Sequence, residues 1–554
     1  MSVKSPLQIA RAAYQPKLPA CFAKGAKVQF ELGAPTTAAA DAAKIAALFP
    51  KTYGAPILSF KADPAASNFP ALSVGVILSG GQAPGGHNVV AGLFDGLKSL
   101  NPGCKLFGFL GGPGGLVDNK YMEITDAVIN EYRNTGGFDI IGSGRTKLEE
   151  KAQYDKGLAN MRALGIGALV VIGGDDSNTN ACVLAEYYKS IDAGIQVVGC
   201  PKTIDGDLKN EYIEASFGFD TACKVYSELV GNIARDALSA KKYWHFMKVM
   251  GRSASHIALE VGLQTQANIT LISEEVAAKK MTLGQIVEDI CSVINARAEK
   301  GENFGLIVIP EGLVEFVPEM KTLISELNDL LAHADEALPK AFAKAEGTAA
   351  LAKLGLSAAS ASLYFSLPAA IREQLVADRD PHGNVQVSRI ETEKLLIGMV
   401  EARLAEQKKA GQSKAKFSHQ NHFFGYEGRC AAPSNFDADY CYSLGYTAAA
   451  LLGAGKTAYL SSVRKLTLPA AQWIAGGVPL TSMMNVERRH GADKPVIRKA
   501  LVELDGAPFK RLVAQRGEWS LKTSFVFPGP IQYFGPTEVC DTTTHTLRLE
   551  QLGR

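Results

Sequence analysis

Neither sign of charge dominates this chain: 58 lysines and arginines face 56 aspartates and glutamates, a formal net charge of +2 over 554 residues. No extended field is available to draw in nucleic acid or an anionic membrane, so any anion must be captured locally. Cysteine is thin and dispersed. Its nine positions (Cys21, Cys104, Cys182, Cys200, Cys223, Cys291, Cys430, Cys441 and Cys540) form no CxxC pair and no dense framework, which fits a reducing, cytoplasmic interior. No apolar run approaches the roughly 20 residues of a membrane helix. The start, MSVKSPLQIARAAYQPKLPA, lacks the continuous apolar centre of a secretory signal. It does carry Lys4, Arg11, Lys17, Lys24 and Lys27 with no acid before Glu31, a faintly transit-like composition in which Ser and Arg stay sparse. Internal repeats are missing too, and GGPGG at 111–115 does not satisfy a GxGxxG dinucleotide turn, which disfavours a nicotinamide-dependent dehydrogenase.

What is present is the balance of a globular protein, 47% hydrophobic with 54 glycines and too long for one compact core. Residues 1–70 are rich in Ala and Pro, with one helical stretch, TTAAADAAKIAALF, and read as an N-terminal extension. From Leu72 onward, apolar runs ending in Gly-rich or acidic turns alternate with helical periodicity: LSVGVILSGG, KLFGFLGGPGG, FDIIGSGR, ALVVIGGDD and IQVVGCPKTIDGD. That rhythm predicts an α/β domain over 71–240, a parallel sheet with helices on both faces. HFMKVMGR, ITLISEE and GLIVIPEG open a second α/β domain over 241–455. Within it, residues from about 315 to 412 turn to Ala, Leu, Glu and Lys at helical spacing, a mostly helical insertion. The segment 456–554, with KTAYLSSV and SFVFPGP as short strand-like pieces, completes the α/β domains.

Open parallel sheets bind ligands beyond the carboxyl ends of their strands, and the loops expected there each have a chemical and a plain reading. SGGQAPGGHN (79–88) can hold an anion on free N–H groups at Gly80 and Gly81, or simply turn the chain. GGDDSN sets Asp175 and Asp176 side by side, directly before a helix that Ser177 or Asn178 would cap. One or two carboxylates suffice for Mg²⁺, which keeps much of its water; an aspartate cap needs no metal. CPKTIDGDL is the densest polar cluster, with Lys202, Thr203, Asp205 and Asp207 within six positions. Lysine offers a point charge for phosphate and a carboxylate can take a hydroxyl proton as the oxygen attacks phosphorus, while a solvated turn has the same composition. Arg252 in MGRS suits bidentate phosphate recognition, Glu311 in PEG can accept sugar hydroxyls, and Tyr426 and Arg429 in GYEGR add a phenol and a guanidinium. Each also fits a cap or a surface ion pair. His419 and His422 have no acid or thiol at metal spacing and read as packing or surface residues.

In this order, over residues 72–440, SGGQAPGGHN, GGDDSN, PKTIDGD, MGRS, PEG and GYEGR closely resemble the phosphofructokinase family, above all its long, pyrophosphate-dependent branch. The resemblance implies two doubly wound, Rossmann-like α/β domains with a helical insertion. It implies reversible transfer of a phosphoryl group from pyrophosphate to the 1-hydroxyl of fructose 6-phosphate, with Mg²⁺ as cofactor. On that resemblance Asp205 takes the hydroxyl proton, Asp175 places the magnesium and Gly81 lies against pyrophosphate. Sugar phosphate contacts fall to Thr203, Ile204, Asp205, Met250, Gly251, Arg252, Glu311 and the run Tyr426, Glu427, Gly428 and Arg429. Residues matching Lys242 and Tyr243 reach in from a neighbouring subunit, which implies a homodimer. The donor turns on Asp176 and Lys202, where ATP-using relatives have glycine: the aspartate repels a nucleotide α-phosphate, and the lysine supplies charge that a short donor cannot draw from nucleotide contacts. These two positions disfavour the alternative of an ATP-dependent 6-phosphofructokinase. The joint presence of Asp175, Lys202, Asp205 and Arg252 disfavours a non-catalytic regulatory subunit.

Overall fold

Several apolar runs form strands that are buried nearly end to end, as in Ser73–Leu78, Ala168–Gly173 and Gln196–Pro201. That is the pattern of parallel strands covered on both faces, not of a sheet with one side in water. The computed structural model describes residues 6–63, 69–331, 337–377, 385, 387–489, 492–531 and 543–552; Cys540 lies outside them. In chain order the strands are β1 Val28–Pro35, β2 Pro56–Ala62, β3 Ser73–Leu78, β4 Lys105–Phe109, β5 Tyr121–Ile124, β6 Ala168–Gly173, β7 Gln196–Pro201 and β8 Trp244–Val249. They continue as β9 Ile269–Thr270, β10 Gly305–Pro310, β11 His419–Phe424, β12 Tyr459–Arg464, β13 Ile474–Pro479, β14 Met484–Arg489 and β15 Ala492–Ile497.

One compact unit comprises Met1–Ala222, Tyr426–Ala500 and Ile531–Gln551. Its nine-stranded sheet has the order β1-β2-β13-β12-β7-β6-β3-β4-β5. The run from β12 to β4 is parallel and the flanking pairs are antiparallel. From β3 the chain moves to β4 on one side, and β6 then lies on the other. The carboxyl ends of β3 and β6 therefore form a topological switch point, where open α/β sheets bind ligands. The helices Gly86–Leu100 and Asn435–Gly453 cross with their backbones touching. A methyl on Gly92 would overlap the Tyr442 carbonyl, and one on Gly445 the Val89 carbonyl. This contact fixes where the loop before Gly86 emerges.

Three local expectations are corrected in this unit. The stretch read as an N-terminal extension supplies β1 and β2, which join the sheet through β13, and Tyr14 and Lys17 N both bond the Asp439 carboxylate, at 2.9 and 2.7 Å. β1 is exposed along nearly its whole length and β2 is buried only in part, so neither carries the continuous apolar run that marks the central strands, and they form by pairing with each other. FDIIGSGR is a turn, because Gly136 just before it and Gly142 within it take φ of 79° and 68° and bend the chain, leaving one bridge between Ser79 and Gly144. The helix after β6 starts at Asp175, behind Gly174, so the two aspartates occupy its first turn instead of preceding it.

The other unit comprises Cys223–Gly425, Leu501–Pro530 and Leu552–Arg554. Its sheet, β11-β8-β10-β9, is wholly parallel. Among the described residues between 315 and 412 there is no strand; the chain forms helices such as Pro318–Leu331, Ala358–Ser366 and Thr392–Lys409. These helices share one core with the sheet, burying Leu327, Tyr364 and Leu395 beside Phe246 and Ile307. Lys248 on β8 and Glu393 form an ion pair of 3.1 Å, each 3% exposed, and removing either partner would strand a buried charge. His422 is a packing residue here, stacked on His245 at 5.3 Å. SFVFPGP makes no strand, since Pro528 and Pro530 lack the N–H groups a ladder needs. The expected divisions at 70, 240 and 455 differ from the units, whose boundary falls inside the helix Phe219–Ala240 and again at Tyr426. A continuous helix carries no compositional break, which is why the sequence pattern hides the boundary.

Candidate active site

In the first unit the loops after β3, β6 and β7 converge. Lys202 is pinned by its backbone, its N–H donating to Gly173 O at 2.9 Å. Its ammonium lies against the turn after β3: a methyl added to Gly80 would sit 2.9 Å from Nζ, and one on Gly174 4.0 Å away. Beside it, a methyl on Gly81 would lie 3.0 Å from Arg429 Nη1 and 3.5 Å from Arg145 Nη2. Arg429 is oriented by donating to Gln82 O at 3.0 Å, and its Nη2 stands 3.8 Å from Asp205 Oδ1. The expected residues Gly81, Lys202, Asp205 and Arg429 are thus brought together.

The helix Asp175–Ser190 is tied to the same loops. Asn178 Nδ2 donates to Gly173 O, Gly174 O and Cys200 O at 2.6, 3.0 and 3.3 Å, and Ser177 Oγ donates to Ser79 Oγ at 2.8 Å. Neither caps the helix. Asp176 is exposed and Asp175 half-buried in the first turn, where the helix dipole favours anions. In the TIDGD loop the Asp205 N–H donates to Thr203 Oγ1 at 3.1 Å. Ile204 is fully buried, so only its backbone can face a ligand.

Charge at this site is crowded. Burial pushes Lys202 down to about 8; Arg429 and Arg145 push the same way, while Asp205 and Asp175 oppose. Burial, with Asp205 and Asp175, pushes Asp207 up to about 7 against the pull of Lys499. Asp205 Oδ1 is buried without a hydrogen-bond donor. Three cations gathered on one glycine turn are a local anion trap, and titratable groups perturbed by one another mark a functional cleft. Among the described residues no group of three or more His, Cys, Asp or Glu side chains gathers to hold a metal. A hard divalent cation held through one carboxylate, water and ligand phosphate fits such a donor set.

In the second unit, the loops after β8 and β10 lie backbone to backbone. Glu311 N donates to Val249 O at 3.0 Å, and a methyl on Gly312 would overlap the Arg252 carbonyl, so no larger residue fits. This brings Met250, Gly251 and Arg252 against Glu311; Arg252 is exposed and Glu311 buried. Lys242 and Tyr243 are not brought there. They precede β8, whose six residues separate them from Met250 by about 20 Å at roughly 3.3 Å per residue. Tyr426, Glu427, Gly428 and Arg429 form a short helix of the first unit, with Tyr426 64% exposed.

Two residues at the cleft escaped the sequence reading. Arg145 lies on the misread FDIIGSGR turn, which His87 anchors. The Thr135 hydroxyl donates to Tyr132 O at 2.6 Å, so its oxygen accepts from His87 Nδ1 at 2.7 Å, leaving Nε2 to accept the Ile140 N–H at 3.2 Å. Burial pushes His87 down to about 4, with Asp139 opposing, which keeps that neutral tautomer. Lys499 arrives from nearly 300 residues beyond Asp207, its Nζ 3.6 Å from Asp175 Oδ2. An arginine ending a Gly-rich run was a usable signal; nothing local marked Lys499.

A doubly wound α/β sheet with a cationic, glycine-lined anion trap and carboxylates at its switch point defines a phosphate-handling protein. A family model described as Phosphofructokinase matches residues 73–354. The pyrophosphate–fructose 6-phosphate 1-phosphotransferase of Porphyromonas gingivalis is 58% identical over 551 residues, covering 100% of each chain. That of Treponema pallidum (strain Nichols) is 54% identical, covering 98% of this chain and 97% of its own. The chain belongs to the phosphofructokinase family. Its fold is also that of a pyrophosphate-dependent phosphofructokinase from Marinobacter aquaeolei, with a TM-score of 0.52 at 17% identity, covering 82% of this chain and 93% of that one.

Proposed function

We propose that this chain reversibly transfers a phosphoryl group from inorganic pyrophosphate to the 1-hydroxyl of fructose 6-phosphate, giving fructose 1,6-bisphosphate and phosphate. The observation that carries the reading is the convergence of Lys202, Arg429 and Arg145 on Gly80 and Gly81, with Asp205 beside Arg429. In the forward direction the 1-hydroxyl oxygen attacks the transferred phosphorus, the bond to the bridging oxygen breaks, and the electron pair leaves with orthophosphate. Asp205 takes the hydroxyl proton; with one oxygen free of donors, it can accept it. The three cations hold the charge that spreads over the phosphoryl oxygens. Asp175 would hold Mg²⁺, which would neutralise pyrophosphate charge. Thr203, Met250, Gly251, Arg252, Glu311 and Tyr426 to Arg429 are assigned to the sugar phosphate.

Asp176, exposed in the first helical turn, is assigned by the family resemblance to repelling a nucleotide α-phosphate, which supports pyrophosphate over ATP. Lys242 and Tyr243 stand at the opposite end of β8 from Arg252; the family resemblance assigns them to the sugar site of a second copy, and with that a homodimer. A cytoplasmic setting suits its scattered cysteines; among the described residues no helix is long and apolar enough to cross a membrane. ³¹P NMR of the purified protein with pyrophosphate and fructose 6-phosphate tests the function: one new phosphate ester and one orthophosphate should appear per pyrophosphate consumed. Sugar-independent release of two orthophosphates would overturn it.

A further inference from the structure

The hairpin β14–β15 leads into a short strap, residues 497–500, that is clipped to the site on both sides of Lys499. The Ile497 N–H donates to Thr179 Oγ1 at 3.0 Å, one turn along the helix that begins at Asp175. The Ala500 N–H donates to Asp207 O at 2.7 Å, inside the TIDGD loop. Between these two bonds Lys499 is held with Nζ 3.6 Å from Asp175 Oδ2, both side chains part-exposed at 30% and 24%. The Lys499 side chain keeps part of its surface at solvent beside Asp175, at the edge of the cleft. The other cations of the cleft, Lys202, Arg145 and Arg429, all lie on the side of Gly80 and Gly81, while Lys499 alone of the four is paired with Asp175.

We infer that Lys499 is a second lysine of the pyrophosphate site, its ammonium taking a phosphate oxygen on the Asp175 side while Lys202 works from the glycine turn. The inference rests on the pyrophosphate reading above. A pyrophosphate bound between them would meet positive charge at both ends, and the short donor would be gripped without nucleotide contacts. The role is donor binding, not proton transfer.

The test is isothermal titration of the wild type, Lys499→Met, Lys499→Arg and Lys494→Met with pyrophosphate and Mg²⁺ in the absence of sugar, paired with steady-state kinetics. Lys494 lies on the same hairpin, in an exposed pair with Glu149 at 3.2 Å. Lys499→Met should weaken pyrophosphate binding and raise its KM by about tenfold or more, leave the fructose 6-phosphate KM unchanged, and be largely rescued by Lys499→Arg; Lys494→Met should match the wild type. Pyrophosphate affinity within twofold of the wild type in Lys499→Met, or a loss confined to kcat, would overturn the inference. Should Lys499→Met not fold, Lys499→Gln decides by the same titration. A wild type that does not use pyrophosphate would instead sink the functional reading, so the two failures are distinct.

Discussion

Raising the pH through 8 should disarm the anion trap, because Lys202 loses its proton there. Burial and two neighbouring guanidiniums bring Lys202 from 10.5 down to about 8, a penalty on the charged form on the order of 3 kcal/mol. The sign is that of a depressed base: charged below about 8, neutral above it. About nine-tenths of the free enzyme carries the charge at pH 7 and about one-tenth at pH 9. Because kcat/KM reports ionisations of the free enzyme, kcat/KM for pyrophosphate should bend near pH 8 and then fall about tenfold per unit. Pyrophosphate ionises too, so the profile is compared with that of Lys202→Arg, whose guanidinium stays charged throughout. The ratio of the two profiles isolates the lysine. A ratio constant from pH 7 to 9.5 would refute the argument that Lys202 is both the charged group and the perturbed one.

Asp205→Ala should lower kcat by between about 100-fold and 10,000-fold, the usual range for a lost general base, with the fructose 6-phosphate KM changed only a few-fold because the cationic clamp remains; near wild-type turnover would remove Asp205 from the base role. Light scattering should give a mass twice the 59.0 kDa of the chain, and a fully active monomer would contradict the assignment of Lys242 and Tyr243 to a second copy.

The sequence made the strand-end loops legible because their chemistry is local: glycines for close approach, aspartates and a lysine within a few positions, each directly after an apolar run. Lys202, Thr203, Asp205 and Asp207 stood out together on that ground, while the choice of Asp205 as base came from the family resemblance. What stayed hidden is what tertiary packing decides. β1 and β2 carry weak strand patterns and exist because they pair with each other and with β13. Arg145 was visible but attached to a strand that Gly136 and Gly142 turn into a loop, so its nearness to Gly81 could not be inferred. Lys499 looks like any surface lysine until the backbone bonds on either side of it are known. Composition marked the helical character of residues 315–412, yet only the buried Lys248–Glu393 pair and the shared core show that these helices are integral to the second unit.

The central claim, pyrophosphate as phosphoryl donor to fructose 6-phosphate, is tested most directly by following ³¹P NMR of one enzyme sample with pyrophosphate and with ATP in turn, each with fructose 6-phosphate and Mg²⁺. Rapid loss of pyrophosphate with equal gains of 1-phosphate ester and orthophosphate, and little or no ATP consumption, is the predicted result. Transfer from ATP at comparable or greater rate would contradict the roles given to Asp176 and Lys202, and no transfer from pyrophosphate would contradict the account as a whole.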